Sequence, residues 1–358
     1  MEFERDQDIS KPVEPQKLDA AGFPPPGPVQ GSAASPEPRK RGSGWRILLG
    51  ILLFFSVVAN VGLFLVLIGM MFVFSATGSR PGLNEAIVRE GPSSSKIAVI
   101  NVQGVIEGNL AADVERQLKA AAKDRRVKAL ILRVNSPGGT ISGSDGIYNA
   151  VKRFQRENNK PMIAFMQGVA ASGGYYASVA CEKIMAEPTT ITGSIGVISW
   201  WLVVQELLEN KLGVVPVTVK SGLKKDWPSS FRAPTEEELA YMDERLIQPA
   251  FERFLEVVVK GRASVLGPDE VKRLADGGIY SAAEALKEKL IDDIGYLDDA
   301  VESIKTMAGI KKARVIEYRK PFTLADVLTY GKSSQLKLDK STIYEMSSPK
   351  VLYLWTAY

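Results

Sequence analysis

The longest apolar run of the sequence predicts a transmembrane helix. From Ile47 to Phe74 the chain continues for 28 residues without a charged side chain, and roughly 20 apolar residues suffice to span the hydrocarbon of a bilayer. The apolar region of a signal peptide is shorter and lies close to the chain start, so a membrane span over residues 45–76 is the better interpretation. The positive-inside rule places the N-terminal side in the cytoplasm, because basic residues cluster before the run: Arg39, Lys40, Arg41 and Arg46.

The segments on either side of this run have compositions that disfavour regular structure. Residues 1–44 are rich in proline, glycine and serine and poor in large apolar side chains, so burial cannot offset the entropy lost on ordering. We therefore expect a disordered cytoplasmic tail at 1–44. Residues 77–95 are again rich in glycine, serine and proline and predict a linker.

Between residues 96 and 310, apolar runs typical of strands alternate with spacings typical of helices. Two sets of apolar residues three or four positions apart predict amphipathic helices: Leu110, Val114 and Leu118, then Ile147, Val151 and Phe154. Short runs typical of buried strands lie at 97–106, 127–134, 161–166, 183–186 and 192–198. This alternation predicts an α/β fold with a mostly parallel sheet, right-handed crossovers and flanking helices.

The second half of the chain predicts one further strand and several helices. An apolar run predicts a strand from Val214 to Lys220. A helix is expected to start at the capping box of Thr235 and to reach about Gly261, with a kink at Pro249. Shorter helices are predicted between 268 and 308, and the extension at 311–358 has weak signals apart from a strand-like Arg314–Tyr318.

The composition removes several kinds of chemistry from consideration. The 358 residues include no histidine and only one cysteine, Cys181, so a Ser-His-Asp triad, an intramolecular disulfide and a cysteine-based zinc site cannot form. The formal charge of +4 is small, and the basic residues are interspersed with acids, which argues against nucleic acid as a partner. No metal site and no cofactor are predicted.

Two glycine-rich segments are candidates for the functional site. Asn135–Gly139 and the segment around Ser172 both leave predicted strands at the carboxyl end, where ligands collect in such sheets. Backbone N–H groups at Gly138, Gly139 and Gly173 could then form an oxyanion hole. Taken alone, however, the sequence Ala-Ser-Gly-Gly more often marks close packing of a helix on a strand than catalysis.

A nucleophilic Ser172 would need a base other than histidine, and lysine is the base in known variants of the serine mechanism. Burial must first lower the lysine pKa from about 10.4 to about 7 or 8. Lys224 and Lys225 both follow the predicted strand that ends at Lys220, and the residues alone do not choose between them. Ser194 could orient a neutral amine or could simply occupy a turn.

Four motifs in this order, behind one N-terminal membrane span, resemble the short-form bacterial signal peptide peptidases of the S49 family of serine peptidases. They are Asn135-Ser-Pro-Gly-Gly139, Ala171-Ser-Gly-Gly-Tyr-Tyr176, Thr192-Gly-Ser-Ile-Gly-Val197 and Ser221-Gly-Leu-Lys-Lys-Asp226. The resemblance covers residues 96–310 and implies a peptidase domain with a ClpP/crotonase-like fold. It also implies a role for five residues: nucleophile Ser172, general base Lys225, supporting Ser194, and oxyanion donors Gly139 and Gly173.

The resemblance further implies an activity, a location and partners. It implies a membrane-anchored serine endopeptidase that degrades remnant signal peptides and other short or unfolded polypeptides, with the catalytic domain in the periplasm or outside the cell. In the family, protomers assemble into rings, and residues from more than one subunit can complete the site. Two alternatives remain: a crotonase-like acyl-CoA enzyme, against which the external topology argues because CoA is cytosolic, and a catalytically silent membrane scaffold.

Overall fold

The computed structural model describes residues 44–76, 83–320 and 350–356. The chain divides into two compact units, with the boundary after Thr77. The predicted disordered tail lies outside the described residues except for Gly44. Most of the predicted extension, at 321–349 and 357–358, also lies outside them.

The first unit contains the predicted apolar helix. Helix α1 runs from Gly44 to Ala76, and its stretch from Gly44 to Met71 is long and apolar enough to cross a membrane. No side chain in the most apolar part of that stretch is buried against protein. Exposing so much apolar surface to water costs about 25 cal/mol per Å², so the length and composition of α1 suit a bilayer.

The second unit is built on a mostly parallel sheet, as the alternating pattern predicts. Its strands follow the order β1-β11-β2-β3-β5-β6-β10, with β7 and β9 beside β5. These strands are β1 (Asn84–Arg89), β2 (Lys96–Gln103), β3 (Val127–Ser136), β5 (Met162–Ala171), β6 (Lys183–Ala186), β7 (Ile191–Gly193), β9 (Ile279–Ser281), β10 (Asp293–Ile294) and β11 (Arg314–Arg319). Only the β1–β11 and β7–β9 pairs are antiparallel. The predicted linker at 77–95 therefore contains one edge strand.

A second, three-stranded sheet lies beside the first in the order β4-β12-β8. Its strands are β4 (Gly138–Thr140), β8 (Ile198–Trp200) and β12 (Lys350–Leu354). Strand β12 lies in the middle and is antiparallel to both neighbours. Strand β12 thus lies between two short strands that precede it by a long stretch of sequence.

Helices cover both faces of the main sheet, because successive residues of its strands point to opposite sides. Ala98, Ile100 and Val102 pack on one side, among residues of the helices that follow β2, β3 and β5. Ile97 and Val99 pack on the other side, against the last helix. The helices are α2 (Gly108–Lys123), α3 (Ile141–Asn158), α4 (Gly173–Ser178), α5 (Glu236–Met242), α6 (Gln248–Gly261), α7 (Pro268–Leu274), α8 (Ala282–Lys287) and α9 (Leu297–Met307).

The long helix predicted from Thr235 to about Gly261 is confirmed, and it contains a π-helical turn before Pro249. The Thr235 hydroxyl accepts a hydrogen bond from the Glu238 N–H at 3.2 Å, as an N-cap should. A π-helical turn at Asp243–Ile247 then separates α5 from α6. Pro249 lies in the first turn of α6, where its missing N–H leaves no helical hydrogen bond unmade.

The strand predicted at Val214–Lys220 is wrong. Among the described residues of this chain no strand pairs with the segment, although its side chains are apolar. Val217 is 84% exposed and Val219 is 95% exposed. An apolar run forms a strand only where a neighbouring backbone supplies hydrogen bonds, and none lies alongside among residues 44–76, 83–320 and 350–356.

An ion-pair cluster ties the start of β2 to the loop before β3. The ammonium of the buried Lys96 lies 2.6 Å from Glu85 Oε2 and 3.0 Å from Asp124 Oδ2. Asp124 also accepts two hydrogen bonds from the Arg126 guanidinium. Those bonds from Arg126, together with the contact to Lys96, hold the pKa of the Asp124 carboxyl far below its usual value.

Because the pKa of Asp124 is depressed, its contribution to stability is present above the unfolded-state pKa of about 3.9 and is lost as the pH falls below it. Asp124→Asn should lower the free energy of unfolding at pH 7 by about 2 to 3 kcal/mol, since it leaves the buried Lys96 with less compensation. It should also flatten the acid limb below about pH 4.

Urea unfolding of the full chain in detergent, measured from pH 7 down to pH 2, tests this expectation. Asp298→Asn is the matched control, because that carboxylate is 81% exposed and pairs only on the surface with Arg89. Equal acid limbs in wild type and Asp124→Asn would contradict the assignment.

Candidate active site

Ser172 occupies a strained turn between a strand and a helix. It follows β5 directly and precedes α4, with φ 53° and ψ −114°, a region that costs a non-glycine residue roughly 1–3 kcal/mol. Its N–H donates to the Gly193 carbonyl at 2.7 Å, and its carbonyl accepts from the Tyr176 N–H at 2.8 Å. These bonds hold the serine in a conformation that resembles the nucleophile turn of α/β hydrolases.

Gly139 directs its N–H away from Ile106. The carbonyl of Gly138 accepts from the Ile106 N–H at 2.8 Å, and the N–H of Thr140 donates to the Ile106 carbonyl at 2.7 Å. Since backbone groups alternate along an extended strand, the N–H of Gly139 points to the opposite side. Tyr353 of β12 lies there, paired in register with Gly139.

Backbone segments approach each other closely at Gly138 and Gly173. Gly138 has a φ of 102°, and a Cβ there would collide with the Tyr353 carbonyl oxygen and lie 2.7 Å from the Gly173 nitrogen. A Cβ on Gly173 would collide with Ser144 Oγ and lie 3.1 Å from the same Tyr353 oxygen. The Tyr353 carbonyl therefore lies beside both predicted oxyanion donors, Gly139 and Gly173.

Ser194 belongs to the same cluster. It follows β7, which pairs in parallel with the end of β5, so that Gly193 lies opposite Ala171. Ser194 is buried, has a φ of 48° and donates its N–H to the Gly278 carbonyl at 2.6 Å. The structure thus brings together four of the five predicted site residues: Ser172, Ser194, Gly139 and Gly173.

Lys225 is the predicted residue that the single chain does not bring to this cluster. It lies in a short 3₁₀ turn, Leu223–Asp226, and it is exposed. Within the described ranges its ammonium makes no hydrogen bond or ion pair. The neighbouring Lys224 differs, because its ammonium lies 4.0 Å from the Tyr241 ring centroid and 5.0 Å from that of Trp227.

An ionic network holds the turn that carries these two lysines. Asp226 accepts from Lys220 at 2.6 Å and from Arg232 at 3.4 Å. Arg232 donates in turn to the buried Glu238 at 2.7 Å. The Lys220 hydrogen bond, with help from Arg232, lowers the pKa of the Asp226 carboxyl. The turn is therefore fixed in shape although it is exposed.

The sequence patterns missed the strand that lies across the site and the aromatic space beneath it. Tyr353 of β12 is fully buried against Tyr176 and Phe254. The signal available was the short apolar and aromatic run Lys350–Leu354 directly after Pro349, which is typical of a strand. Across residues 44–76, 83–320 and 350–356, no group of three or more acidic or cysteine side chains is placed to hold a metal ion.

We predict that β12 pairs normally with β4 only when residue 138 is glycine. Gly138→Ala is expected to impose left-handed strain and also to displace the Tyr353 carbonyl. Gly104→Ala is the matched control, because Gly104 has a φ of 80° with open space around its Cα and so adds only the strain of about 1 kcal/mol. Hydrogen exchange should show faster exchange of the β12 amides in Gly138→Ala alone; equal protection in both variants would contradict the close approach.

Comparison with known proteins agrees with this architecture. The family model for peptidase family S49 matches residues 154–311, and the model for Clp protease matches residues 93–191. The second match extends over β2, β3 and β5 and includes Ser172. It supports the predicted ClpP-like fold, with a mostly parallel sheet and flanking helices.

Individual relatives agree with the family models. The protein of Enterococcus faecium named "Putative signal peptide peptidase SppA" is 40% identical over 252 residues, which are 67% of this chain and 72% of that protein. "Serine protease SPPA, chloroplastic" of Arabidopsis thaliana is 31% identical over 74% of this chain and 39% of its own length. "Protease 4" of Haemophilus influenzae is 34% identical over 62% of this chain and 36% of its own. This chain belongs to peptidase family S49.

Proposed function

We propose that this peptidase is a membrane-anchored serine endopeptidase that uses a Ser172/Lys225 dyad to degrade remnant signal peptides and other short or unfolded polypeptides outside the cytoplasm. One observation carries the proposal. A strained, buried Ser172 adjoins two bare backbone segments, at Gly139 and Gly173, and the carbonyl of an extended strand lies beside both. This is the arrangement that acyl transfer to a serine requires.

The proposed reaction has two stages, acylation and hydrolysis. Ser172 Oγ attacks a substrate carbonyl carbon, and the N–H groups of Gly139 and Gly173 stabilise the oxyanion, each contributing about 3 to 4 kcal/mol to the transition state. Lys225 accepts the serine proton and passes it to the leaving amine. Water then hydrolyses the acyl-enzyme and restores the serine. Ser194 orients the lysine amine from the next strand.

A second copy of the chain would supply Lys225. A base of this kind must be desolvated, whereas Lys225 is exposed in the single chain. The segment just before it exposes apolar side chains, with Val217 84% and Val219 95% accessible, and burial of each such valine favours association by roughly 1.5 kcal/mol or more. Docking of this segment on a second copy would bury it and deliver Lys225 to a neighbouring site.

Lys225 is a better candidate for the base than Lys224. The Lys224 ammonium lies over two aromatic rings, so it is already engaged in cation–π contacts within its own chain. The same contacts hold Lys224 against Trp227 and Tyr241. Lys225 is free to turn toward a neighbouring subunit, which is consistent with the role that the family resemblance implies.

The groove between β4 and β8 and the apolar helix α1 together support the substrate class. Strands β4 and β8 accept an extended segment between them, which is recognition by β-augmentation and is available only to unfolded polypeptide. Helix α1 would hold the domain beside the bilayer and raise the local concentration of membrane-derived peptides. By the positive-inside rule, the basic residues that precede the apolar run support a domain on the outer side, in a periplasm or outside the cell.

Substitution of the dyad tests the mechanism. Ser172→Ala and Lys225→Ala should each lower kcat on an apolar fluorogenic peptide by about a thousandfold or more, whereas Lys224→Ala should retain activity. Labelling with a serine-reactive phosphonate should modify Ser172. Loss of activity in Lys224→Ala with retention in Lys225→Ala would overturn the base assignment. Cleavage that is unaffected at Ser172 would overturn the serine mechanism.

Co-expression of the two inactive variants tests whether sites are shared between subunits. If Ser172 and Lys225 come from different copies, mixed assemblies of Ser172→Ala and Lys225→Ala should regain about a quarter of wild-type activity, since one in four sites combines an intact residue from each. The separately expressed variants are the controls. No recovery in mixed assemblies would mean that the dyad forms within one chain.

A further inference from the structure

A carboxylate lies directly beside the proposed base in the sequence. Asp226 follows Lys225 within the turn Leu223–Asp226, and an opposite charge within about 4–6 Å favours the charged form of an amine. Sequence neighbours in this chain can pair, since the Arg245 guanidinium lies 3.6 Å from the Glu244 carboxylate. A free carboxylate on Asp226 would therefore hold Lys225 as an ammonium, which cannot accept a proton.

Both oxygens of this carboxylate are already engaged by other cations. Lys220 Nζ lies 2.6 Å from Asp226 Oδ1, and Arg232 Nε lies 3.4 Å from Asp226 Oδ2. Lys220 precedes the turn in the sequence and Arg232 follows it, so the carboxylate is held from both ends. The side chain of Asp226 is only 15% exposed, and it has a partner for each of its two oxygens.

We infer that Lys220 and Arg232 keep the Asp226 carboxylate from pairing with Lys225, and that both are positioning residues for the base. The inference rests on the proposed function, because it takes Lys225 as the group that accepts the Ser172 proton. It adds two residues to that mechanism, and they act through Asp226 rather than on the substrate.

Arg232 is fixed on its other side by a buried carboxylate. Its Nη1 donates to Glu238 Oε2 at 2.7 Å, and Glu238 is fully buried in the first turn of α5. Removal of one partner from a buried ion pair leaves an uncompensated charge, so the pair with Glu238 keeps Arg232 in place. The planar guanidinium can then direct its Nε at Asp226, a geometry that a lysine ammonium does not offer.

Lys220 closes the turn from the other end. Its ammonium donates to the Leu223 carbonyl at 3.0 Å as well as to Asp226, so it joins the first and the last residue of the turn. Only 29% of its side chain is exposed. With Lys220 on one oxygen and Arg232 on the other, an ion pair between Asp226 and Lys225 would require one of these bonds to break.

The remaining charged groups around the turn also have partners. The titratable side chains that surround it, from its own residues, the flanking segments and α5, are Lys220, Lys224, Asp226, Arg232, Glu238 and Tyr241. The Lys224 ammonium lies over the rings of Trp227 and Tyr241. Among the described residues, Lys225 is the one charged side chain of the turn without a hydrogen bond, ion pair or ring contact. The group that must lose its charge for catalysis is thus the group left unpaired.

Lys220→Met tests the inference, because it frees one oxygen of Asp226 without removing the partner of the buried Glu238. The freed carboxylate should pair with Lys225, so the pH of half-maximal kcat/KM on the acid limb should rise by about one unit or more. At a fixed pH on that limb, kcat/KM should be about tenfold lower or less. Arg232→Lys should shift the limb in the same direction, because one ammonium cannot bridge two carboxylates as a guanidinium does.

Removal of the carboxylate distinguishes positioning of the base from general support of the fold. Asp226→Asn carries no charge at this position and should not raise the pH of the acid limb. The double variant Lys220→Met/Asp226→Asn should return the limb to its wild-type position, because no carboxylate is left to pair with Lys225. A merely structural role of Lys220 would not be rescued in this way, since the second substitution restores none of the bonds that Lys220 makes.

The profiles are measured with the full chain in detergent on an apolar fluorogenic peptide, from about pH 6 to pH 10. Lys272→Met is the matched control, because Lys272 is exposed on α7 and its ammonium has no ion pair in the part of the chain that the structure describes. This control should leave the limb unchanged.

An unshifted limb in Lys220→Met or Arg232→Lys would overturn this inference, as would a limb at higher pH in either variant that carries Asp226→Asn. Absence of any Ser172-dependent cleavage, or full activity in Lys225→Ala, would instead overturn the proposed function.

Discussion

The site depends on the close approach of two backbone segments at Gly138 and Gly173. Any side chain at either position would collide with a neighbouring group, so the groove exists only because both residues lack a Cβ. Packing of α4 on the sheet creates this approach. Ser172, just before α4, donates its N–H to the Gly193 carbonyl and accepts a hydrogen bond from the Tyr176 N–H, and these bonds fix the start of the helix. The energy stored in the serine conformation is offset by the surrounding parallel sheet, whose central strands are mostly buried.

Much of the fold could be predicted from periodicity because it depends on local signals. The β-branched run of β2 predicts a strand buried on both faces, and the spacing of Val114 and Leu118 predicts one apolar face on α2. The structure confirms both the strand and the helix. The segment Val214–Lys220 shows where such reasoning fails. Its apolar pattern is that of a strand, but the partner that would complete it is not within the described part of this chain, and a sequence pattern does not specify whether a partner exists.

The candidate site likewise contains some residues whose positions follow from local signals in the sequence and others whose positions do not. The proximity of Ser172, Gly173, Ser194 and Gly139 can be predicted because β3, β5 and β7 end at the same sheet edge, whereas the roles of these residues are implied by the family resemblance and stay predictions. Lys225 is identified by its motif alone, and in the single chain it is exposed in the Leu223–Asp226 turn. Tyr353 was missed because β12 is separated from β4 and β8 by a long stretch of sequence, and non-local antiparallel pairing leaves no periodic trace along the chain.

Strand β12 has a consequence for the solubility of the domain. Without it, β4 and β8 would each present an unpaired edge with free N–H and C=O groups, separated by the width of one strand, above an exposed aromatic surface. Such edges are templates for the addition of any extended chain, including another copy in the course of folding. Strand β12 satisfies both edges from within the same chain and so removes these templates from solvent.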